Sequence, residues 1–250
     1  MDIWLIRDLF SHCLAACEEL GRDADFAAQL RDTLSRLREP RIAPDGRLQE
    51  WWEDFSEAEP GHRHLSHLFA LYPGDQITPG GTPGLAQAAR RSLEYRLAHG
   101  GGGTGWSRAW VVALWARLAE GDLAHHHLVE LLTGSTAPNL FDLHPPDFFQ
   151  IDGNLGATAA VAEMLVHSHG ERIELLPALP RSWPDGQVTG LRARGRITVG
   201  LSWAGGRATQ ASLDLPTGAT AVVAAPWARG DSVGSGNLCH GLHGPLYLAE

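Results

Sequence analysis

The sequence predicts a mainly α-helical fold, arranged in two helix layers and followed by a small antiparallel β domain. Apolar residues recur at helical spacing through most of residues 1–169. Two helical segments are apolar on nearly every side and others have a polar face, which is typical of an inner and an outer layer. After Gly170 the chain changes to short runs separated by Gly, Pro, Asp and Asn, a pattern that favours strands. We therefore expect residues 1–170 to form the helical part and residues 171–250 the β domain.

The amphipathic helices are predicted from apolar residues that repeat with the period of an α-helix. In the first of them the repeat runs from Ile3 to Leu20, and Gly21 is expected to end the helix. Further helices are predicted at Ala24–Leu37, around His62–Leu71 and at Leu85–Ala98, with a loop over Pro40–Pro60. Pro73-Gly74 and the glycine run Gly100–Gly103 are expected to end the last two of these helices.

Two segments lack a polar face and are predicted to be buried helices. Ser107 is expected to cap the first, SRAWVVALWARL, and the second is LGATAAVAEMLVH at Leu155–His167. Glu163 lies inside the second helix, where an acidic side chain needs a partner. We expect it to be a satisfied buried acid rather than a catalytic one.

The β domain is predicted from short runs, several of them enriched in Val, Ile and Thr. The runs are Ile173–Leu176, Gln187–Leu191, Arg196–Trp203, Ala208–Leu213 and Ala219–Ala225. Their length and the turn residues between them indicate strands of an antiparallel unit.

Composition excludes several classes of function. The net charge of −9, with no cluster of Lys and Arg, argues against a nucleic-acid or anionic membrane partner. Three cysteines, Cys13, Cys17 and Cys239, do not indicate a disulfide framework. The N-terminal run carries charges at Asp2, Arg7 and Asp8, so it is neither a signal peptide nor a membrane span. The chain is expected to be soluble, and no compartment is predicted because a signal upstream of Met1 would not be visible.

The segment HRHLSH is the first candidate site, with the polar residues His62, Arg63, His64 and His67. A metal site is one interpretation, but His62 does not share a helix face with the other two histidines and the HExxH pattern is absent. A hydrogen-bonding wall of a small-molecule site suits Arg and His better. A structural junction between a loop and a helix end is the third interpretation. We predict no metal and no cofactor.

Other motifs give weaker signals. The glycines before TGWSRAW lack the Lys-Ser/Thr pair of a phosphate-binding loop, so they are expected to form a flexible loop into a buried helix. Trp106 on that loop is either a stacking surface for a ligand or a core aromatic. His125–His127 is expected on a solvated helix face. No GxGxxG fingerprint follows a predicted strand.

The stretch HPPDFFQIDGNLG holds Asp152 on a turn between two predicted helices. The flanking Phe148, Phe149 and Ile151 are expected to lower the local dielectric, which makes a carboxylate responsive to its partners. A catalytic role is one interpretation. Capping of the following helix by Asp152 or Asn154 is the other, and the segment alone favours it.

Six long motifs together resemble the C-terminal part of glycoside hydrolase family 95. They are LQEWWEDF, GHRHLSHLFALYPGDQITP, TGWSRAWVVALWARL, PNLFDLHPP, FQIDGNLGATAAVAEML and IELLPALPRSWPDGQVTGLRARG. They follow the family's order and cover the chain up to about Trp203. Family members are inverting α-L-fucosidases, and some prefer α-L-galactosides. The resemblance implies part of an (α/α)6 barrel followed by a small β-sandwich-like domain, and a fucosylated oligosaccharide or glycan as substrate.

The resemblance also implies roles for individual residues. Asp152, in FQIDGN, matches the base-side aspartate, which in the family polarises the asparagines that activate water. Arg63 and His64 match residues that bind the fucose ring. Trp106 and Asn154 are further candidates for substrate binding. A rigid turn at the mouth of a barrel would hold one carboxylate at a fixed distance from the sugar, as an inverting mechanism requires.

The sequence departs from the family pattern in two places. HPPDFFQIDGN carries extra residues where the family has HPPFQIDGN, so its turn is expected to be shifted or bulged. The family's general-acid glutamate and its asparagines lie upstream of Met1. We therefore hypothesise that the chain is the C-terminal part of a fucosidase, inactive alone. Its incomplete barrel is expected to expose an apolar patch that a separate chain would cover.

Two other functions stay open at this point. One is a non-catalytic carbohydrate-binding remnant, and the other is a different helical-toroid hydrolase or lyase that uses a metal through the histidines. A replacement acid could come from a loop of four acids, ranked low because such groups usually face water. They are Glu50, Glu53, Asp54 and Glu57.

Overall fold

A computed structural model describes residues 1–169 and 172–226, and the backbone of residues 246–248. Cys239 therefore lies outside the described residues. The chain divides into two compact units, Met1–Gly102 and Gly103–Glu250. Six α-helices precede the main sheets, which confirms the predicted fold class of a partial helical toroid followed by a small β domain. No helix in the described part is long and apolar enough to cross a membrane.

The first unit begins with two helices that pack against each other. Helix α1 is Asp2–Leu20 and α2 is Ala24–Arg36. Gly21 ends α1 as predicted, because its left-handed backbone lets its amide donate to the carbonyl of Glu18. Trp4 is the buried residue of α1, while Leu5, Leu9 and Leu20 are exposed. The apolar face of α1 is therefore largely uncovered within its unit.

The predicted helix around His62–Leu71 is wrong in type, since this segment forms only one 3₁₀ turn at Ser66–Leu68. The amide of Leu68 donates to the carbonyl of Leu65 over 2.8 Å. The fully buried Leu65, Leu68 and Leu71 are spaced three apart, which suits the three-residue turn of a 3₁₀ helix better than an α-helix. Helix α3 follows at Pro83–Ala98, with Pro83 in the first turn, where proline is tolerated.

The second unit opens with the apolar helix α4, Gly105–Arg117, which is largely buried as predicted. Its cap is Thr104 and not Ser107, because the Thr104 hydroxyl accepts the amide of Ser107 and places Ser107 inside the first turn. Helix α5 is Gly121–Gly134.

Helix α6, Ile151–Leu165, packs against α4 and begins four residues earlier than predicted. Asp152 and Asn154 therefore lie within its first turn, and neither is its N-cap, which is Gln150. The helix is also less buried than predicted. Leu155 is 66% exposed, because one face of α6 has no neighbour within the described part of this unit.

Glu163 is a satisfied acid, as predicted. Arg117 of α4 donates to it over 2.6 Å, and His167 Nε2 lies 3.7 Å from the same carboxylate oxygen. This contact joins α4 and α6 near their C-terminal ends.

The strands of the structure are β1 Leu143–His144, β2 Phe148–Phe149, β3 Val166–His167, β4 Arg172–Leu175, β5 Gly186–Ala193, β6 Ile197–Ala204, β7 Arg207–Asp214, β8 Ala221–Ala224 and β9 Leu246–Leu248. The five predicted strands lie close to β4–β8, whereas β1, β2, β3 and β9 were not predicted. The sheet β5-β6-β7 is antiparallel. In the sheet β3-β4-β8-β9, β8 runs parallel to both β4 and β9. Between β4 and β8 the chain forms the three-stranded sheet β5-β6-β7. This long connection allows β8 to lie parallel to β4.

Residues of both sheets share one core. Ile173 and Val223 come from one sheet and Val199 and Leu201 from the other, and all are buried in the same cluster. Trp203 joins them and donates its indole N–H to the carbonyl of Trp183 over 2.9 Å. The β part therefore has its own hydrophobic core, as an independently packed layer pair requires.

Candidate active site

The first candidate site surrounds Asp152, which is exposed in the first turn of α6. The two residues that HPPDFFQIDGN has beyond the family pattern lie in the hairpin β1–β2, in which Leu143 pairs with Phe149. Phe148 is 69% exposed, and Phe149 and Ile151 are also exposed. These side chains therefore do not enclose Asp152 in an apolar environment within the described part of this unit, and that expectation was wrong.

The side chain of Asn154 is engaged by the backbone. Its Oδ1 accepts the amide of Asp142 over 2.9 Å, and its Nδ2 donates to the carbonyl of Leu140 over 2.7 Å. Asn154 thus fixes the segment before the hairpin, which is a structural task. Its predicted contact with substrate stays a prediction.

Trp106 is half-buried in the first turn of α4 and stacks on Trp110, with ring centroids 5.4 Å apart. Its backbone amide donates to Oε1 of Gln150, the residue that precedes α6. Trp106 therefore packs on another aromatic ring and is also partly accessible. Its role as a stacking surface for a ligand stays a prediction.

Asp142 is the residue of this site that the sequence reasoning missed. It is 2% exposed, and its two carboxylate oxygens are buried without a hydrogen bond of normal geometry to any described residue. A Cβ built on Gly105 would lie 1.9 Å from both oxygens, and one built on Gly153 would lie 1.5 Å from Oδ2. The carboxylate therefore occupies the space that side chains at the starts of α4 and α6 would fill. The signal in the sequence was a glycine in the first turn of two helices.

Burial raises the pKa of the Asp142 carboxyl to about 6, and the negative charge of Asp152 contributes in the same direction. A buried carboxylate without partners is costly, and protonation relieves that cost. The backbone amide of Leu143 opposes this effect, because it favours the ionised form. The site thus contains two unlike acids, one exposed and one buried.

A second candidate site lies within the first unit, in an open cleft of about 830 Å³. Exposed aromatic rings of Trp51, Trp52 and Phe55 line it, together with His62 and His64. Aromatic faces beside polar side chains suit a sugar ring, which has an apolar face and a rim of hydroxyls. Arg38 already covers one face of Trp52, with its guanidinium carbon 3.2 Å from the ring centroid.

The charged side chains of Glu50, Glu57 and Arg96 also line this cleft. Arg96, which is buried in α3, donates to Glu50 and lies 3.4 Å from Glu57 Oε2. Arg47 pairs with Glu57 and Asp45. Glu50 and Glu57 are therefore half-buried and paired, which corrects the expectation that all four loop acids face water. Glu53 and Asp54 are exposed as expected.

The HRHLSH histidines differ in environment. His67 is buried, and burial together with the charge of Arg96 lowers its pKa to about 3. Its ring is therefore neutral at pH 7, and its 3.6 Å approach to Glu50 is not an ion pair. His64 is exposed and its ring meets that of His62 edge-on at 5.0 Å. Partial burial and then the charges of Arg63 and His62 lower the pKa of His64, which keeps it an uncharged hydrogen-bonding group.

Among the described residues, the one group of His, Cys, Asp and Glu with metal-ligand spacing is His126, His127 and Glu130. It was expected on a solvated face, but His127 is buried. Arg108 lies within it, 2.8 Å from His127 Nδ1 and 2.7 Å from Glu130. A guanidinium at that position repels a second cation, so this group is an ion-pair cluster.

Comparison with known sequences agrees with the arrangement of helices and sheets. Residues 1–165 match the model of the glycosyl hydrolase family 95 catalytic domain, and residues 167–232 match that of the family's C-terminal domain. The chain therefore carries sequence from a glycoside hydrolase catalytic domain and from the domain that follows it. It belongs to glycoside hydrolase family 95.

The chain is similar to three curated proteins. "Alpha-L-fucosidase 2" of Arabidopsis thaliana is 42% identical over 226 residues, which cover 85% of this chain and 26% of that protein. "Probable alpha-fucosidase A" of Aspergillus niger is 34% identical over 221 residues, covering 80% of this chain and 27% of that protein. "Probable alpha-fucosidase A" of Aspergillus oryzae is 31% identical over 224 residues, with coverages of 80% and 31%. The chain thus spans less than a third of the length of these relatives.

Proposed function

We propose that the chain supplies the base-side carboxylate and part of the sugar-binding surface of an inverting α-L-fucosidase. The substrates would be terminal α-L-fucosyl linkages of glycans. The observation that carries this proposal is Asp152, an exposed carboxylate held on the first turn of a packed helix. Its position agrees with the base role that the family resemblance implies. Membership of family 95 and the similarity to three fucosidases support the choice of sugar.

In an inverting mechanism, one carboxyl group protonates the leaving oxygen while a carboxylate on the other side assists the attack of water. Asp152 fits the second task because it is accessible and rigidly placed. In the family its action passes through asparagines, which together with the general acid lie outside the matched motifs of this chain. General acid catalysis typically contributes roughly 10²–10⁴-fold. We therefore expect the chain by itself to bind fucose without turning over fucosides at a useful rate.

The sugar-binding surface would be the cleft of the first unit. His64 lines this cleft, and its uncharged state suits a hydrogen bond to a hydroxyl group. Arg63 is exposed and is not among the lining residues, so its assignment to the fucose ring rests on the family resemblance. The exposed ring of Trp51 offers a face for stacking. Trp106 and Asn154 are retained as candidates for substrate contact in the second unit. We also retain the proposed division into a barrel part at residues 1–170 and a β domain at residues 171–250.

The partner proposed for the exposed apolar surfaces is the rest of the barrel, as the upstream part of the same protein or as a separate chain. Leu5 and Leu9 of α1 and Leu155 of α6 are exposed although their helices are apolar. Additional helices of a complete barrel would cover such faces.

Fucose binding and turnover are tested on the same purified chain. Binding of L-fucose and L-galactose is measured by ligand-detected NMR, and turnover with p-nitrophenyl α-L-fucoside. We expect binding that His64→Ala weakens and that the exposed, distant-in-sequence control His126→Ala leaves unchanged. Release of β-L-fucose as the first product, in a preparation that includes the upstream part, would support inversion. Absence of fucose binding by any preparation would contradict the proposal.

A second candidate function is that of a carbohydrate-binding remnant. The cleft favours it, because its aromatic and charged lining belongs wholly to the first unit. Binding without turnover in every preparation, including one with the upstream part, would favour this function. Loss of activity on chelation would instead favour a metal-dependent hydrolase or lyase.

A further inference from the structure

We propose that Asp142 is a positioning residue for Asp152, because it fixes the first turns of α4 and α6 and couples its own charge to that of Asp152. This inference rests on the proposed function for its catalytic meaning, although the pairing itself can be measured without turnover. Asp142 has no role among the residues that the family resemblance implied.

The position of the carboxylate carries the first step. Both helix starts bear a glycine against it, and in neither case is there room for a Cβ. The carboxylate is thus wedged between Gly105, the first residue of α4, and Gly153, the third residue of α6. Asp152 is the residue directly before Gly153. A shift of the Asp142 side chain would therefore move the backbone that carries Asp152.

The backbone around Asp142 carries the second step. Its amide donates to Oδ1 of Asn154, and its carbonyl accepts the amide of Gln150 over 2.8 Å. Gln150 in turn receives the amide of Trp106 from α4. Asp142 is thus connected to residues on both sides of Asp152, so the two acids belong to one rigid assembly.

The unpaired state of the carboxylate carries the third step. A structural acid of this burial normally has well-formed hydrogen bonds or an ion pair. Among the described residues the Asp142 carboxylate has no hydrogen bond of normal geometry, and the nearby backbone amide of Leu143 only partly opposes the rise in its pKa. The other charged or titratable groups on the packed elements are Arg108 of α4, which pairs with Glu130, and Arg117 of α4, which pairs with Glu163 of α6. His144 and Asp147 belong to the hairpin segment. Of these elements, α6 supplies the one charge that raises the pKa of Asp142, which is Asp152. Ionisation of Asp142 therefore places a second negative charge beside the first turn of α6.

The pairing is tested by NMR titration of the chain itself. The carboxyl ¹³C signal of Asp142 and the amide ¹⁵N signals of Gly105, Asp152 and Gly153 are followed from about pH 4 to 8, around the raised pKa of Asp142. We expect both glycine amides to shift near pH 6, and the Asp152 amide to show an inflection at the same pH. Asp142→Asn removes these inflections, whereas Asp147→Asn, an exposed acid of the same segment, leaves them in place.

Glycine amides that do not respond near pH 6 would overturn the inference, as would an Asp152 inflection that persists in Asp142→Asn. If Asp142→Asn does not fold, the titration of the unaltered chain decides alone, because the glycine and Asp152 signals must change together. If fucosides are turned over but the Asp152 signal does not respond to Asp142, the pairing is wrong and the proposed function stands. If the signals change together but no preparation binds fucose, the pairing stands and the proposed function is wrong.

Discussion

Gly153→Ala is expected to destabilise the second unit severely, although alanine is normally the better residue inside a helix. The new Cβ would lie 1.5 Å from Asp142 Oδ2 and 2.2 Å from its Cγ. Neither the helix start nor the carboxylate can stay in place, because Asp142 is also held by its backbone at Asn154 and Gln150. Overpacking of a buried site typically costs about 1–3 kcal/mol, and the depth of this overlap places the change at the upper end of that range.

The measurement is thermal and urea unfolding of Gly153→Ala beside the matched control Gly134→Ala. Gly134 lies at the end of α5 in the same unit, and a Cβ there would meet nothing within 4 Å. The control should be neutral or slightly stabilising. A loss of about 3 kcal/mol corresponds to a fall in Tm of about 6–12 °C for a chain of this size.

A double-mutant cycle identifies the cause of the loss. In an Asp142→Ala background the space beside Gly153 is open, so Gly153→Ala should cost much less than it does in the unaltered chain. If the two costs are equal, or if Gly153→Ala melts like Gly134→Ala, the carboxylate does not fill the space beside α6 and the reasoning is refuted.

Three further changes test other contacts. Arg96→Met leaves Glu50 half-buried without its cation and should cost about 3–5 kcal/mol in urea unfolding; a smaller loss than Arg38→Met would contradict the ion pair. Thr104→Ala removes the side-chain cap of α4 and should cost about 1 kcal/mol, whereas Thr104→Ser should be nearly neutral. His167 and then Arg172 lower the pKa of Glu174 to about 2, so its ionised form stabilises the fold above pH 4.5. That stabilisation should disappear as the pH falls towards 2, and Glu174→Gln, already lacking it at pH 7, should show a flatter acid limb in Tm.

The sequence pattern predicted the regular elements well, because helical and strand periodicities are local properties. Helix α4 and the strands β5–β7 were predicted close to their observed bounds. The segment around Ser66–Leu68 was mistaken for an α-helix, because three-residue spacing of leucines satisfies a helical pattern as well as a 3₁₀ turn. The start of α6 was placed late because Asp152-Gly153-Asn154 has the composition of a turn, and only the packing against α4 makes it helical.

Long-range contacts account for what the sequence could not show. Glu50 belongs to a loop of four acids, and nothing local distinguishes it from Glu53. Glu50 differs because it pairs with Arg96, which lies 46 residues further along the chain. Asp142 was hidden for the same reason, because its neighbours Gly105 and Gly153 come from two other segments of the chain.

The contrast between Asp142 and Asp152 has a physical consequence for catalysis. In the proposed base role Asp152 must be reachable by water, and its exposed position in the first turn of α6 satisfies that condition. Asp142 meets the same kind of helix end but is cut off from water, so its ionisation competes with its burial. In the proposed pairing, Asp142 acts through the backbone of Gly153 and Asn154, which follow Asp152 in the first turn of α6. A buried acid whose charge changes near pH 6 would therefore influence the position of an exposed carboxylate without touching the substrate.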